Sequence, residues 1–234
     1  MDSKQEAIER IIDRALAHRI MQGLSVNGSG KQAANASGIQ AQTETLTIPV
    51  GISNRHVHLS RTDMDTLFGP GAVLRRKKAM KQPGQFAAEE TVTIKGPKGV
   101  LNKVRVLGPL RPETQVEISI ADGFVLGIKP PLRMSGQLED TPGIEIIGPH
   151  GCVHTTQGVI AAMRHIHMPL ETAAQFGFGN GDVVDVEVGG DRGGVLRQVA
   201  IRATGDSVTE MHVDVEEANA FSLQNDDLVR ICGY

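Results

Sequence analysis

From residue 46 to residue 234 the chain is a series of short runs rich in Val, Ile and Thr, each closed by glycine- or proline-containing turns. "LTIPVGIS", "TVTIKG", "VLNKVRVLGP", "TQVEISIA", "DVVDVEV", "VLRQVAIRA" and "MHVDV" are such runs, and "GPKG", "GNGD" and "GGDRGG" carry turn chemistry between them. Branched side chains fit a pleated surface, whereas Gly, Asn and Pro supply the dihedrals of tight turns, so the runs read as strands. Helical pieces are few and short, near 62–68, 154–164, 170–176 and 216–222. A doubly wound sheet needs regular alternation of strands with long helices and is therefore disfavoured. Mostly-β barrels or sandwiches with short capping helices fit the pattern.

The first 45 residues are different. In "SKQEAIERIIDRALAHRIMQG", Ser3 and Glu6 have the spacing of a capping box. Ile8, Ile11, Ile12, Ala15, Leu16 and Ile20 then share one helical face, and Gly23 is a natural stop. Residues 1–23 are expected to be an amphipathic helix. Residues 24–45, "LSVNGSGKQAANASGIQAQTET", hold almost no charged or large apolar side chain and read as a flexible linker. A helix on so long a tether points to a docking peptide for another protein surface.

Composition excludes several classes of function. Aromatic residues make up 3% of the chain and the net charge is −3, so neither base stacking nor a phosphate-backbone footprint is present. Nucleic acid is not an expected partner. No run of about 18 apolar residues could cross a membrane, and the N-terminus lacks the zones of a secretory signal. Cys152 and Cys232 form no disulfide framework and are expected as reduced, buried thiols of a soluble intracellular chain. Walker, Rossmann and nucleophile-elbow motifs are absent.

The chemistry lies in a phrase written twice. "RHVHLS" at 55–60 and "RHIHMP" at 164–169 each place two histidines one residue apart. Strand side chains alternate faces, so His56 pairs with His58, and His165 with His167, about 6–7 Å apart along the strand. Two imidazoles at that spacing can converge on one metal. Each phrase continues through a polar or proline break into a short helix ending in an aromatic–glycine pair, and "HVDVEEANAF", from His212, partly repeats the pattern with Asp214 in the second histidine's place. Five convergent imidazoles exceed what one open metal site needs, so two metals fit. In "ETQVEISI", Glu117 is the acidic group of the polar face and a candidate ligand or base. Imidazole with carboxylate suits zinc, and also iron, cobalt or nickel. Arg111, in "GPLR", follows a strand end near Glu117 and suits an anionic substrate, since guanidinium binds phosphate oxygens bidentately.

"IPVGISNRHVHLS", "QPGQFAAEETV", "VRVLGPLRPETQVEIS", "GVIAAMRHIHM" and "MHVDVEEANAF", in this order over nearly all of 46–234, resemble the PduL-type phosphate acyltransferases, the phosphate propanoyltransferases. The resemblance implies two β-barrel domains, 46–54 with 163–234 and 55–162, and a two-metal site, usually zinc. It implies the reversible reaction of acyl-CoA and phosphate to acyl phosphate and CoA, by phosphate attack on a metal-bound short-chain thioester. It also implies metal ligation by His56, His58, Glu117, His165, His167 and His212, and phosphate positioning by Arg111. CoA contacts are implied at Ser53, Lys78, Arg105, Leu107 and Asn219, and more loosely at Ser135. Forms found in bacterial microcompartments carry an N-terminal encapsulation helix on a linker, so a place in the microcompartment lumen, contact with its shell or core proteins, and a homodimer or larger assembly are further expectations. The competing reading of the same histidine cluster is a metal-dependent hydrolase or thioesterase.

Overall fold

The computed structural model describes residues 46–233; the expected docking helix of 1–23 and the whole linker of 24–45 lie outside them. Fifteen strands are found: β1 Thr47–Ser53, β2 His56–His58, β3 Arg76–Ala79, β4 Phe86–Lys95, β5 Val100–Gly108, β6 Gln115–Glu117, β7 Leu132–Arg133, β8 Glu145–Ile147, β9 Cys152–His154, β10 Val159–Ala162, β11 His165–Pro169, β12 Val183–Val188, β13 Gly194–Thr204, β14 Glu210–Asp214 and β15 Leu228–Gly233. Four helices accompany them: α1 Arg61–Phe68, α2 Ile120–Leu126, α3 Leu170–Gln175 and α4 Val215–Phe221.

Two sheets form, but only one closes. β1, β14, β11, β13, β12 and β15 make a closed six-stranded barrel, with β15 pairing both β12 and β1. The other nine strands make an open sheet, in the order β7–β10–β6–β2–β5–β4–β8–β9 with β3 beside β4. The expectation of two barrels is therefore corrected to one barrel and one half-barrel sheet. β7, only two residues long, is the last strand beyond β10, and among the described residues no pairing joins it to β9 at the far end of the sheet.

The two sheets nevertheless contain one repeated unit. β10–β6–β2–β5–β4 run parallel, antiparallel, parallel, antiparallel, and β1–β14–β11–β13–β12 do the same. Each unit also lends its first strand to the other's histidine strand. β1 leads out of the barrel into β2, and β10 leads out of the open sheet into β11. The chain crosses between sheets at 54–55 and 163–164, beside both histidine phrases. Each sheet has its own apolar core, one built around Ile48, Ile166, Met168 and Met211, the other around Val57, Leu59, Leu67 and Ile146.

Two local expectations are corrected. The helix expected near 154–164 is instead a turn and β10, whose buried Val159, Ile160 and Ala161 form the continuous apolar run of a strand covered on both sides. Conversely, α2 begins at Ile120, inside the end of the run "TQVEISIA" that read as strand. Ser119 and Asp122 cap each other's backbone there, and Gly127 ends the helix at φ +75°. With α2, four strands run directly into short helices: β2–α1, β6–α2, β11–α3 and β14–α4.

Candidate functional site

All six expected metal ligands sit on those four strands, and the register faces them in pairs. In the open sheet His56 lies opposite Glu117, and His58 opposite Gln115. In the barrel His165 lies opposite His212, and His167 opposite Glu210. The ligand atoms form two groups of three, His56–His58–Glu117 and His165–His167–His212, each within 4.8 Å. Both groups line one cavity of about 230 Å3, together with Arg111, Ser53, Leu107 and Ser135. Lys78, Arg105 and Asn219 do not line it. Lys78 is exposed on β3, Arg105 donates to the carbonyls of Ala88 and Glu89, and the Asn219 carbonyl accepts from Arg192.

The repeated phrase has a repeated set of bonds. His56 Nδ1 is 2.8 Å from the Asn54 carbonyl, and His165 Nδ1 is 2.8 Å from the Met163 carbonyl. Each carbonyl accepts a hydrogen bond from Nδ1–H, which turns Nε2 toward the other members of its triad. The preceding arginines dock in the same way. Arg55 pairs with Asp122 at 2.6 Å and Arg164 with Glu217 at 2.8 Å, both acids being the third helical residue of a capping box. Glu216 of α4 in turn accepts from the N–H groups of Ile120 and Ala121 at the start of α2. Arginine, histidine strand and neighbouring helix are thus one unit, built twice.

Burial and neighbouring charges shift several of these groups. Burial alone would raise the Glu117 carboxyl, but His56, 3.4 Å away, with His58 and Arg111, holds it well below the usual carboxylate range. Burial pulls His56 down while Glu117 more than offsets it, leaving His56 raised. Burial lowers His58 to about 2, helped by the charges of His56 and Arg111. Burial and His212 bring His165 to about 4; burial with His165 and His212 brings His167 to about 3. His58 Nδ1 is buried with no hydrogen-bond partner. Three imidazoles in the barrel triad, and two with the Glu117 carboxylate in the other, one nitrogen of which is left unpartnered, are donor sets that each fit a divalent metal.

Three residues that sequence reasoning missed complete the site. Gln115, buried, donates to Glu117 Oε1 and to Ser135 Oγ, and Ser135 Oγ also accepts from Arg111 at 2.7 Å. Arg111 is thereby tied to the carboxylate of the first triad. Glu210 occupies the equivalent place in the barrel, with Oε2 2.7 Å from His212 Nε2 and Lys81 Nζ 3.1 Å from Oε1. Burial would raise Glu210, but His212 and Lys81 bring it to about 2. "QVE" and "EMH" repeat the alternate spacing of "HVH" and "HIH", and that spacing was the available signal. Arg202, opposite His167 on β13, is the third and adds a second cation to the cavity. Its charge and burial together lower the Arg111 guanidinium, with burial the larger cause. Asp214, matched to a second histidine on sequence, instead caps α4.

Two facing three-donor clusters on a twice-built β unit, with an arginine wired to one of them, define a class of metal-site scaffold suited to an anionic substrate. Comparison with known proteins narrows this. The family model for phosphate propanoyltransferase matches residues 49–224. A phosphate propanoyltransferase of Rhodopseudomonas palustris is 65% identical over 232 residues, covering 99% of both chains. Those of Rhodobacter capsulatus and Thermotoga maritima are 58% and 56% identical, covering 95% and 79% of this chain and 97% and 88% of theirs. The chain belongs to the phosphate propanoyltransferase family, and it is an enzyme, a phosphate acyltransferase.

Proposed function

We propose that the chain interconverts a short-chain acyl-CoA, propanoyl or acetyl, and phosphate with acyl phosphate and CoA, by direct attack of phosphate on the thioester. The observation that carries this reading is the shared cavity. Two three-donor clusters and the partly buried Arg111 open onto the same space. His56, His58 and Glu117 would hold one divalent ion and His165, His167 and His212 a second, zinc being the natural choice for this donor set. Bound ions would supply Lewis acidity toward the thioester sulfur and toward the oxygens that gain charge.

The chain's own residues do the rest. Arg111, oriented by Ser135, binds phosphate oxygens and holds one of them against the carbonyl carbon. A C–O bond forms there as the C–S bond breaks and the electron pair leaves on the CoA sulfur. Arg202 adds a second positive charge to the same space, which favours an anionic substrate there. Neither Cys152 nor Cys232 lines the cavity, which favours direct transfer over an acyl-cysteine. Ser53, Leu107 and Ser135 border the reacting end of CoA in this reading, while Lys78, Arg105 and Asn219 would meet its remote part. Each sheet with its helices acts as one domain, 46–54 with 163–234 and 55–162.

The N-terminal 45 residues are proposed to dock the enzyme to microcompartment shell or core proteins, placing it in the lumen, and the working assembly is proposed to be a homodimer or larger. Among the described residues no helix is long and apolar enough to cross a membrane.

One assay tests the reaction. Acyl-CoA is mixed with the protein, and free thiol is followed with and without phosphate and with chelator. Phosphate-dependent, chelator-sensitive release is expected. Release that ignores phosphate would identify a hydrolase or thioesterase instead.

A further inference from the structure

A third group of metal-binding side chains lies outside the cavity, on the last hairpin of the open sheet. β8 and β9 pair antiparallel, with Glu145 directly opposite His154 and Ile147 opposite Cys152. Cys152 and His154 alternate onto the face that Glu145 also uses. The thiol sulfur, one imidazole nitrogen and one carboxylate oxygen all lie within 4.8 Å of one another. His154 Nε2 is 3.7 Å from Glu145 Oε1. Sequence reasoning expected Cys152 to be a buried thiol; it is exposed, as is His154.

The hairpin holds these groups in place before any ligand arrives. The Gly148 N–H donates to the Gly151 carbonyl across the turn, and the His150 N–H donates to the Leu67 carbonyl at the end of α1. A side chain at Gly148 would come within 2.4 Å of the Leu67 carbonyl oxygen, and one at Gly151 within 2.8 Å of that of Thr66. The turn is therefore seated against α1, and β9 is fixed with it.

We infer that Glu145, Cys152 and His154 form a third metal site, which takes one zinc-class divalent ion at the sheet edge and leaves a coordination position open to solvent. Thiolate, imidazole and carboxylate together select borderline-soft ions such as zinc and cobalt over magnesium or calcium. Binding replaces the thiol proton with the metal, and the proton goes to water. Lys95 competes: its Nζ is 2.9 Å from Glu145 Oε2, so the ion must share that carboxylate with an ammonium.

Cobalt distinguishes this site from the cavity, because neither cavity triad contains sulfur. Untagged, reduced full-length protein, freed of metal by chelation and buffer exchange, is titrated with cobalt(II) and watched for thiolate-to-cobalt charge transfer in the near ultraviolet. The band should saturate at an intensity matching one thiolate-bound cobalt per chain. Cys152→Ser should abolish it, and Cys232→Ser should leave it intact. Outer-shell changes alone cost about 10–100-fold in metal affinity, so His154→Ala and Glu145→Gln should each weaken binding by at least about tenfold. Lys95→Met should tighten it. Thiol release from acyl-CoA should be unchanged in Cys152→Ser, which separates this site from the reaction. Absence of the band, or a band that survives Cys152→Ser, overturns the inference.

Discussion

Arg164 meets Glu217 across 2.8 Å, and Arg55 meets Asp122 across 2.6 Å in the corresponding place of the other sheet. Each arginine precedes a histidine pair, and each acid closes the capping box of the helix that follows the facing ligand strand. The "RH" of both phrases is thus explained by one contact made twice. Arginine locks its own strand to its neighbour while the histidines, one and three residues further along, turn into the cavity.

Removing that lock should loosen a triad. Arg164→Met keeps the aliphatic stem and leaves Glu217, which burial already pushes upward, without its cation. A charge-assisted hydrogen bond contributes roughly 1.5–3 kcal/mol, discounted here because both side chains are partly solvated. A loss of about 1–2 kcal/mol in urea unfolding is expected, with reduced metal content in the barrel triad. An unchanged midpoint would show that the pair is ornamental.

Glu210 should matter through His212. Its Oε2 lies 2.7 Å from Nε2 and so orients the imidazole within the triad. Glu210→Gln should weaken metal retention against a competing chelator by about 10–100-fold with little change in fold. Gly51 is the companion test. It lies opposite His212, and a Cβ there would sit 2.8 Å from Glu210 Oε1 and 3.0 Å from His212 Cδ2. Gly51→Ala should therefore reproduce the metal defect from the backbone side.

Arg111 should separate phosphate handling from metal binding. Arg111→Ala should lower kcat/KM for phosphate by about 100-fold or more, the scale seen when a preorganised charge-stabilising donor is lost. Arg111→Lys should recover only part, since an ammonium is a point charge and cannot hold the anion bidentately. Metal content measured on the same samples should stay at the wild-type level. Wild-type phosphate dependence in Arg111→Ala would remove the residue from the proposed reaction.

The chelated protein should lose stability in mild acid. His58, His165 and His167 are held near 2, 4 and 3 when folded, against about 6.5 in an unfolded chain. Above 6.5 both states are neutral and nothing is lost; below it the unfolded chain gains protons that the folded one refuses, so stability falls as pH drops from about 6.5 toward 4. His56, raised by Glu117, works in the opposite sense but is one group against three. Urea midpoints of chelated protein between pH 7 and 5 read the slope, and a flat profile would contradict the buried, neutral assignment.

Much of this site was legible in the chain because its information is local. A His-x-His strand shows its shared face through the two-residue repeat, and a turn and helix after it show through caps and apolar spacing. Gln115 and Glu210 carried the same spacing but no distinctive chemistry, since a polar residue alternating along a strand is equally at home in solvent. Only the pairing of β2 with β6 and of β11 with β14 turned them inward. The helix expected near 154–164 failed for a related reason: an apolar run buried on both faces has no period to read.

What the sequence determined by itself was a mostly-β chain with two matching histidine phrases, a nearby carboxylate and an arginine placed for an anion. The tertiary structure decided which strands meet. It put Glu117 opposite His56 and His212 opposite His165, closed one sheet through β15, and left the other open between β7 and β9. Side-chain alternation is written into each strand, but hydrogen-bond partnership joins residues far apart in the chain. No local pattern specifies whether the last free edge of a sheet finds a donor to pair with.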